Sequence, residues 1–340
     1  MKIRFPLALA AVFLAFLGTV FVLQAFERPP PVSVQQGFRG TGMVGVTNPR
    51  RDAELVARNQ VPAAPEAAGT DGDRASSIYD NLQVFGDLSV EQFGRIMQAM
   101  TEWVSPAEGC NGCHVEGDFA SDDNYRKRVA RRMVQMVRHI NADWANHVQQ
   151  TGVTCYTCHR GNLVPQQVWA TAPEHGARGM AASADRQNLA APAVGLTSLP
   201  YDPFSRYLAQ DGNIRVQSAA ALAPGGVRPI QDAESVYGLM VHISEALGVN
   251  CTFCHNSRAF SSWAESHPPR LTAWHGIRMV RDVNVNYIEP LRDILPANRR
   301  GPMGDALQAN CATCHQGVNR PLLGAPMLRD YPELRPAAAR

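Results

Sequence analysis

Cysteine is absent from this 340-residue chain except in four short segments, which together hold all eight cysteines. No thiol is left for a separate disulfide, for a catalytic nucleophile or for a lipid anchor near the N-terminus. Charge of one sign is also lacking, because acidic and basic residues nearly balance at a formal net charge of +2. No basic stripe stands out along the chain, so the sequence gives no support to nucleic-acid binding.

Long apolar runs are scarce as well, and the one that stands out covers residues 5–26. As a helix, these 22 residues would be about 33 Å long, against a bilayer core of about 30 Å. Lys2 and Arg4 precede the run, so the positive-inside rule puts the N-terminus in the cytoplasm and the bulk of the chain on the periplasmic side of the inner membrane. A cleaved signal peptide is the alternative, but Leu23 stands where a cleavage site needs a small residue. We therefore expect a retained single transmembrane helix within residues 1–26.

The four cysteine-bearing segments share the pattern Cys-x-x-Cys-His. In chain order they are the first motif (Cys110, Cys113, His114), the second (Cys155, Cys158, His159), the third (Cys251, Cys254, His255) and the fourth (Cys311, Cys314, His315). In this pattern two thiols attach a c-type haem and the histidine becomes the proximal ligand of its iron. Cys-x-x-Cys alone would also suit a thioredoxin-like redox pair or half of a zinc site. Four copies that use every cysteine predict four covalently attached haems.

Helical patterns precede the motifs and offer second axial ligands. Apolar residues with a spacing of three and four predict helices over 87–104, 125–150, 232–247 and 272–295. Ser89 and Gln92 form a capping box at the start of the first. The first three helices carry Met97, Met133 and Met240 on their apolar faces. Methionine on such a face is commonly core packing, but its recurrence in successive units favours ligation of iron.

The units also repeat in pairs. Residues 130–141 resemble 276–286, and residues 152–161 resemble 310–317. By its place in this repeat, Met279 is a candidate distal ligand for the haem of the fourth motif. The expected fold is mainly α with long irregular loops and two pseudo-symmetric two-haem halves. The predicted divisions are an anchor (1–26), an extended strap (27–75), the first half (76–165), a connecting segment (166–229), the second half (230–325) and a C-terminal tail (326–340).

At these residues the chain resembles the tetrahaem cytochrome subunit of purple-bacterial photosynthetic reaction centres. The similar segments are 101–106, 152–161, 201–204, 250–256, 276–282 and 330–334. Members of that family sit on the periplasmic face of the reaction-centre core, which is built from L and M type subunits. They return electrons from small soluble carriers, such as a soluble cytochrome c, to the photo-oxidised bacteriochlorophyll pair. The resemblance implies the same function for this chain.

The resemblance also implies a set of ligands. It assigns Met97, Met133 and Met240 as the distal ligands of the first three haems. For the fourth haem it assigns His147 in place of Met279, which would make that haem bis-histidine. Met133 and His147 are 14 residues apart, which on one continuous helix is about 21 Å along the axis and about 40° around it. One long helix could therefore serve two haems.

Two further features follow from the resemblance. Arg270 matches an arginine that lies beside a haem and raises its potential. Many members carry a lipidated cysteine after the signal segment, whereas this chain has no cysteine there. That departure favours a retained helix over a lipid anchor.

Other functions remain as alternatives. A membrane-anchored tetrahaem cytochrome that oxidises quinol would also have one N-terminal helix and four motifs, although such chains are shorter. A multihaem reductase needs an open iron position for its substrate, and here every haem has a candidate distal ligand, so we expect an electron carrier and not an enzyme.

Acidic residues are frequent around the first motif: Glu102, Glu108, Glu116, Asp118, Asp122 and Asp123. They predict either a docking patch for a basic soluble cytochrome or an ordinary solvated acidic face.

Overall fold

The computed structural model describes residues 4–26, 31–37, 42–173, 186–216 and 229–335. The predicted anchor, strap, connecting segment and tail each include positions outside these ranges: 1–3, 27–30 and 38–41, 174–185 and 217–228, and 336–340 respectively. The described chain is mainly helical and contains two short antiparallel ribbons.

The first helix, α1 (Arg4–Ala25), is the one helix in the described ranges that is long and apolar enough to cross a membrane by length and composition, a test that a signal sequence also passes. Its large apolar side chains, such as Phe13 and Leu14, are exposed. A helix that is apolar on every side suits a lipid environment.

A hairpin in the predicted strap joins the N-terminal region to the third motif. Strand β1 (Val32–Gln35) pairs with β2 (Val44–Thr47) in antiparallel register. Val46 N donates to Asn250 Oδ1 at 3.0 Å. Val44 O accepts from Asn250 Nδ2 and from Thr252 Oγ1, each at 2.8 Å. These long-range bonds fix the hairpin to the residues around Cys251.

The other α-helices, in chain order, are α2 (Asp52–Arg58), α3 (Ala75–Ile78), α4 (Val90–Val104), α5 (Tyr125–Asp143), α6 (Ala145–Val148), α7 (Cys155–His159), α8 (Pro229–Leu247), α9 (Pro269–Asp282), α10 (Cys311–His315) and α11 (Met327–Asp330). The second ribbon pairs β3 (Val168–Trp169) with β4 (Gln308–Ala309). One hydrophobic cluster, with members such as Trp103, Val137, Leu239 and Ile277, packs α4, α5, α8 and α9 together.

The predicted capping box begins α4. Ser89 Oγ accepts from Gln92 N at 3.2 Å, and Gln92 Oε1 accepts from Ser89 N at 3.1 Å. This reciprocal pair satisfies two backbone donors that the first turn leaves open. The helix ends at Val104, as the sequence predicts.

The second predicted helix is shorter than expected. Helix α5 ends at Asp143, and Trp144 leaves the helical conformation with φ of −110° and ψ of 28°. A separate short helix, α6, then carries His147. The break coincides with a long-range bond, because Trp144 Nε1 donates to Asp282 Oδ2 on α9 at 2.8 Å. One continuous helix over 125–150 is therefore a wrong expectation.

The fourth predicted helix also ends early, at Asp282 instead of Leu295. A π-helical turn (Val283–Ile288) and a 3-10 segment (Glu289–Ile294) follow it. Buried Asn284 donates its amide to Leu208 O at 3.0 Å and to Ala309 O at 2.9 Å. These bonds to distant segments account for the widened turn.

The C-terminal part of the described chain packs against α4, where it binds the side chain of Arg95. Its guanidinium pairs with Glu333 at 3.3 Å, and the two side chains are 7% and 2% exposed. The same group donates to Asp330 O at 2.8 Å, to Pro65 O at 3.1 Å and to Glu66 O at 2.9 Å. One buried cation thus ties the strap, α4 and the end of the described chain together.

Candidate haem-binding sites

The four Cys-x-x-Cys-His motifs adopt two local conformations. The second and fourth are the short helices α7 and α10, whereas the first and third are 3-10 turns at Gly109–Gly112 and Cys251–Phe253. The two helical motifs touch each other, with Cys158 Sγ 2.7 Å from Cys314 Sγ. We call the second and fourth the inner motifs, and the first and third the outer motifs.

The inner motifs share their hydrogen bonds and their ends. Thr154 N donates to Thr157 Oγ1 at 3.0 Å, and Asn310 N donates to Thr313 Oγ1 at 2.9 Å. Each motif ends at a left-handed residue with φ of 48°, followed by glycine: Arg160 before Gly161, and Gln316 before Gly317. Since two distant segments adopt one conformation, the sequence similarity between them extends to local structure.

The thiols of the motifs differ in acidity. Burial raises the pKa of Cys155 and of Cys311 to about 12 and that of Cys254 to about 11, whereas the hydrogen bond with Cys158 lowers the pKa of Cys314. Protonated thiols are poor metal ligands and poor nucleophiles. Within the described part of the chain, no three His, Cys, Asp or Glu side chains converge on a metal-sized site. Neither result favours a zinc site or a redox dithiol.

One hydrogen bond is common to five histidines. In each, Nδ1 lies between 2.9 and 3.1 Å from a backbone carbonyl oxygen: His114 with Phe119, His159 with Asn162, His255 with Phe260, His315 with Val318, and His147 with Thr272. An imidazole that donates through Nδ1 keeps a lone pair on Nε2, which is the form that binds a metal. The four motif histidines and His147 thus share a hydrogen bond at Nδ1 that leaves Nε2 available to bind a metal.

Burial disfavours the charged form of several of these histidines. Burial lowers the pKa of His315 to about 4, and it also lowers the pKa of His147 and of His159. His139 is not a candidate ligand, because each of its ring nitrogens lies 2.6 Å from a carboxylate oxygen, of Asp143 or of Asp282. A histidine between two carboxylates has no nitrogen left for a metal.

The structure brings His147 and His315 together, although 168 residues separate them. Their ring centroids are 6.0 Å apart and the rings are inclined by 66°. Gly276 on α9 makes room for the first ring, since a Cβ there would lie 2.5 Å from His147 Cε1. The rival candidate Met279 is 7% exposed and packs in the hydrophobic core. Gly276 was not among the sequence candidates, although a glycine inside a predicted helix is a usable signal of close packing.

The first motif faces its candidate methionine across a cavity. Met97 and Cys110 line the same space of about 520 Å³, together with Gly94, Thr101 and Pro106. A Cβ at Gly94 would meet nothing within 4 Å. Met97 and Cys110 are therefore joined by an open space between α4 and the motif.

The remaining candidate methionines lie on helices that pack around the inner motifs. Met133 on α5 and Met240 on α8 are partly buried against the hydrophobic cluster. Helix α5 contacts α7, and α8 contacts α10.

Arg270 lies beside the third motif. Burial raises the pKa of Cys254, and the positive charge of Arg270 acts in the opposite direction. Its guanidinium donates to Ser262 O at 2.7 Å and to Ser266 Oγ at 2.6 Å, and it covers the ring of Trp263 at 4.2 Å from the centroid.

Several buried polar atoms in the described ranges have no hydrogen-bond partner from the chain, among them Trp103 Nε1 and His242 Nε2. Buried donors and acceptors are normally satisfied, so these atoms suit a polar group that the chain does not supply. The propionate carboxylates of a haem would be a polar group of that kind. The cavity, the prepared histidines and the unpartnered atoms all fit the predicted cofactor.

Comparison with known proteins agrees with the motifs. The family model for the photosynthetic reaction centre cytochrome C subunit matches residues 27–335. Photosynthetic reaction center cytochrome c subunits of Rubrivivax gelatinosus and Thermochromatium tepidum are each 51% identical, covering 94% and 92% of this chain and 87% and 77% of their own lengths. The subunit of Roseobacter denitrificans is 40% identical, over 94% of this chain and 90% of its own. Because the family model covers most of the chain and these three relatives are 40–51% identical to it, the resemblance is confirmed, and the chain belongs to the family of photosynthetic reaction centre cytochrome c subunits.

Proposed function

We propose that this protein carries electrons from a soluble periplasmic donor to the photo-oxidised bacteriochlorophyll pair of a reaction centre, through four c-type haems. Haem iron supplies a centre that takes up and releases one electron, and the chain attaches and tunes it. The observation that carries the proposal is the common Nδ1 bond of the four motif histidines, which leaves one nitrogen on each ready for iron. The names of the relatives support the reaction centre as the acceptor.

Each motif would hold one haem through its two cysteines and its histidine. The distal ligands would be Met97, Met133 and Met240 for the first three haems and His147 for the fourth. Since an imidazole nitrogen binds a metal at about 2 Å, two histidines on one iron have nitrogens about 4 Å apart. Ring centroids 6.0 Å apart suit that arrangement for His147 and His315. Ligand-saturated irons favour electron transfer over substrate chemistry, which supports a carrier and not an enzyme.

The contacts also support an order for the haems. Helix α4 of the first unit packs on α7, the inner motifs touch through Cys158 and Cys314, and α10 packs on α8, which carries Met240. The strap hairpin, which follows the apolar helix, is bonded to the third motif. We infer that electrons enter at the first haem, pass through the second and the fourth, and leave from the third, next to the membrane.

This order fits an anchor in the inner membrane with the haem-bearing body on the periplasmic side, against the L and M type subunits. We propose that α1 is retained as that anchor. Intact-mass measurement of the mature protein tests this directly, because a start near residue 27 would show that the helix is cleaved.

The soluble donor would dock near the first motif. Two of the six acidic residues predicted to form a docking patch are paired with arginines, which leaves four for the patch. Glu108 is paired with Arg126 at 2.6 Å, and Asp122 with Arg131 at 2.9 Å. Four acidic side chains, Glu102, Glu116, Asp118 and Asp123, are exposed and have no ion pair in the described structure. We call these four the donor patch.

If the donor patch steers a basic cytochrome, the association rate should fall steeply with ionic strength. Replacing Glu116 and Asp118 by their amides should lower the rate at low salt and flatten its salt dependence. An association rate that is indifferent both to salt and to these two substitutions would contradict docking at this surface.

The ligand assignment is tested by redox titration of the purified holoprotein. His147→Met should raise the potential of one haem and leave three nearly unchanged, because the axial ligand acts on its own iron. Met279→His is the matched variant. If it lowers one potential while His147→Met changes none, the internal repeat was right and His147 is not the ligand.

A further inference from the structure

Lys127, on α5, is buried and has all its donors occupied. Only 9% of the residue is exposed. Its Nζ donates to Phe119 O at 2.9 Å, to Ala120 O at 2.7 Å and to Ser121 O at 2.9 Å. Because a lysine ammonium has three N–H donors, these carbonyls account for all of them. Asp122 adds a carboxylate oxygen at 3.3 Å. The charge is thus fixed inside the loop that follows the first motif.

One of these carbonyls has a second partner, the proximal histidine of the first motif. His114 Nδ1 lies 3.1 Å from Phe119 O, the same oxygen that accepts from Lys127. An imidazole and an ammonium therefore share one acceptor. The ring of Phe119 also packs on His114, with centroids 4.8 Å apart.

The other motifs lack this arrangement. Within the described residues, Asn162 O, Phe260 O and Val318 O accept from their histidines and from no cationic side chain. The third motif comes nearest, because Arg270 donates to Ser261 O and Ser262 O. Its guanidinium therefore reaches the two residues after Phe260 and not Phe260 itself.

The shared carbonyl has a consequence for the iron. A proximal histidine that donates to a strong acceptor becomes a more basic ligand, and this favours ferric iron. An ammonium on the same oxygen draws electron density away and weakens it as an acceptor. The positive charge also opposes the additional charge of ferric haem. Both effects act in one direction, toward easier reduction.

We propose that Lys127 is a positioning residue that raises the midpoint potential of the first haem by competing for the hydrogen-bond acceptor of its proximal histidine. The proposal rests on the proposed role of His114 as an iron ligand. It separates the two outer haems chemically, although their motifs have the same local fold and the same type of ligands. The potential of the first haem is raised by Lys127. At the third haem, the carbonyl that accepts from the proximal histidine His255 is not shared with a cation.

The test is a redox titration of the holoprotein with Lys127→Met. One haem should become harder to reduce, while the other three titrate as in the unchanged protein. Met97→His identifies that component, because a second histidine on the first iron lowers the potential of the same haem. Lys127→Gln should move the same component in the same direction, and it keeps an amide donor in the loop if the methionine variant folds poorly.

Arg131→Met is the matched control. The side chains of Arg131 and Lys127 are both 11% exposed, and both bind Asp122. Arg131 donates to Asn81 O and not to Phe119 O. Arg131→Met removes a positive charge that also binds Asp122, but it leaves the acceptor of His114 unchanged. A clearly smaller shift in the potential of the first haem is therefore expected.

The outcomes distinguish a failure of the role of Lys127 from a failure of the proposed haem sites. If Lys127→Met and Lys127→Gln leave all four potentials unchanged, or if Arg131→Met produces an equal shift, the shared acceptor has no role of its own. If haem content by the pyridine haemochrome assay is below four, or if Met97→His alters no potential, the proposed haem sites themselves fail.

Discussion

The inner and outer motifs carry the same five-residue pattern, yet the chain holds them in different ways. In the inner motifs the histidine bonds the carbonyl three residues later, as His315 does with Val318. In the outer motifs the bond reaches five residues ahead, and an aromatic ring packs on the histidine, as Phe260 does on His255 with centroids 4.1 Å apart. The inner motifs are the more buried pair, whereas the first cysteine of each outer motif, Cys110 or Cys251, is exposed.

The difference shows that the motif defines the chemistry while its flanking residues define the environment. A left-handed residue followed by glycine, as at Gln316 and Gly317, turns the chain back within three residues. The outer motifs continue into loops that need a phenylalanine and a cation to hold them. The alternation of outer and inner motifs along the chain also supports the proposed repeat of two two-haem halves.

The strongest test of this contrast compares two glycines with nearly equal positive φ, Gly248 at 64° and Gly109 at 61°. A Cβ at Gly248 would overlap the backbone oxygen of Gly317 in an inner motif, whereas a Cβ at Gly109 meets nothing within 4 Å. Both alanine variants carry about 1–2 kcal/mol of left-handed strain. Gly248→Ala should lose about 4 kcal/mol or more in total. Thermal unfolding of the two variants measures the difference, and equal losses would contradict close packing of the inner motifs.

A smaller effect is expected from Gly276→Ala, which acts on the proposed inner-haem ligand His147. The new Cβ would press on a ring that is held to Thr272 O at 2.9 Å. Overpacking of this kind costs about 1–3 kcal/mol, offset in part by the better helix propensity of alanine. Displacement of the ring should give one haem an open position, seen as carbon monoxide binding to the reduced protein.

His147→Ala is the reference for full loss of that ligand, and Gly18→Ala, on α1 where a new Cβ would touch no other part of the described chain, is the control. Carbon monoxide binding by His147→Ala but not by Gly276→Ala would mean that the ring moves aside without leaving the iron. Binding by neither variant would argue against His147 as a ligand.

The smallest effect concerns the loop of the first motif. Arg131 and Lys127 hold the pKa of Asp122 at about 2, below its ordinary 3.8. A lowered pKa in the folded state stabilises the fold above about pH 4, and this contribution is lost as the pH falls toward 2. The side chain of Asp122 is 37% exposed, so the contribution at neutral pH should stay below about 1 kcal/mol.

Asp122→Asn should accordingly be slightly less stable than the unchanged protein at pH 7, and the difference should shrink as the pH falls from 4 toward 2. Asp123→Asn removes the same charge from a neighbour that has no ion pair in the described structure, and it should have little effect. Urea unfolding at several pH values checks both. A difference that does not shrink between pH 4 and pH 2 would mean that Asp122 acts through packing and not through its charge.

Local features were predictable from the sequence because neighbouring residues determine them. The capping box of Ser89 and Gln92 depends on two residues in one turn. The four motifs depend on five adjacent residues each. The apolar spacing likewise identified α4, α5, α8 and α9, with α4 ending where predicted.

The rest depends on contacts that no local pattern contains. Trp144 ends α5 where it bonds Asp282, and Asn284 widens the end of α9 where it bonds Leu208 and Ala309. His147 was identified through resemblance, and its meeting with His315 requires α6 to lie on α9. The position of Lys127 on the carbonyl of Phe119 could not be inferred either, since buried lysines are rare and carry no pattern.

The buried pair of Arg95 and Glu333 has a consequence for the order of folding. Arg95 belongs to the helix of the first motif, but Glu333 is synthesised 238 residues later. Contacts between residues so distant in sequence form slowly, because a long loop must close first. Until the C-terminal residues have been synthesised and have packed against α4, the guanidinium of Arg95 lacks the carboxylate of Glu333 that compensates its charge in the folded protein. The haem unit that is synthesised first is therefore among the last to be completed, and a chain truncated before residue 330 should leave the packing of α4 unfinished.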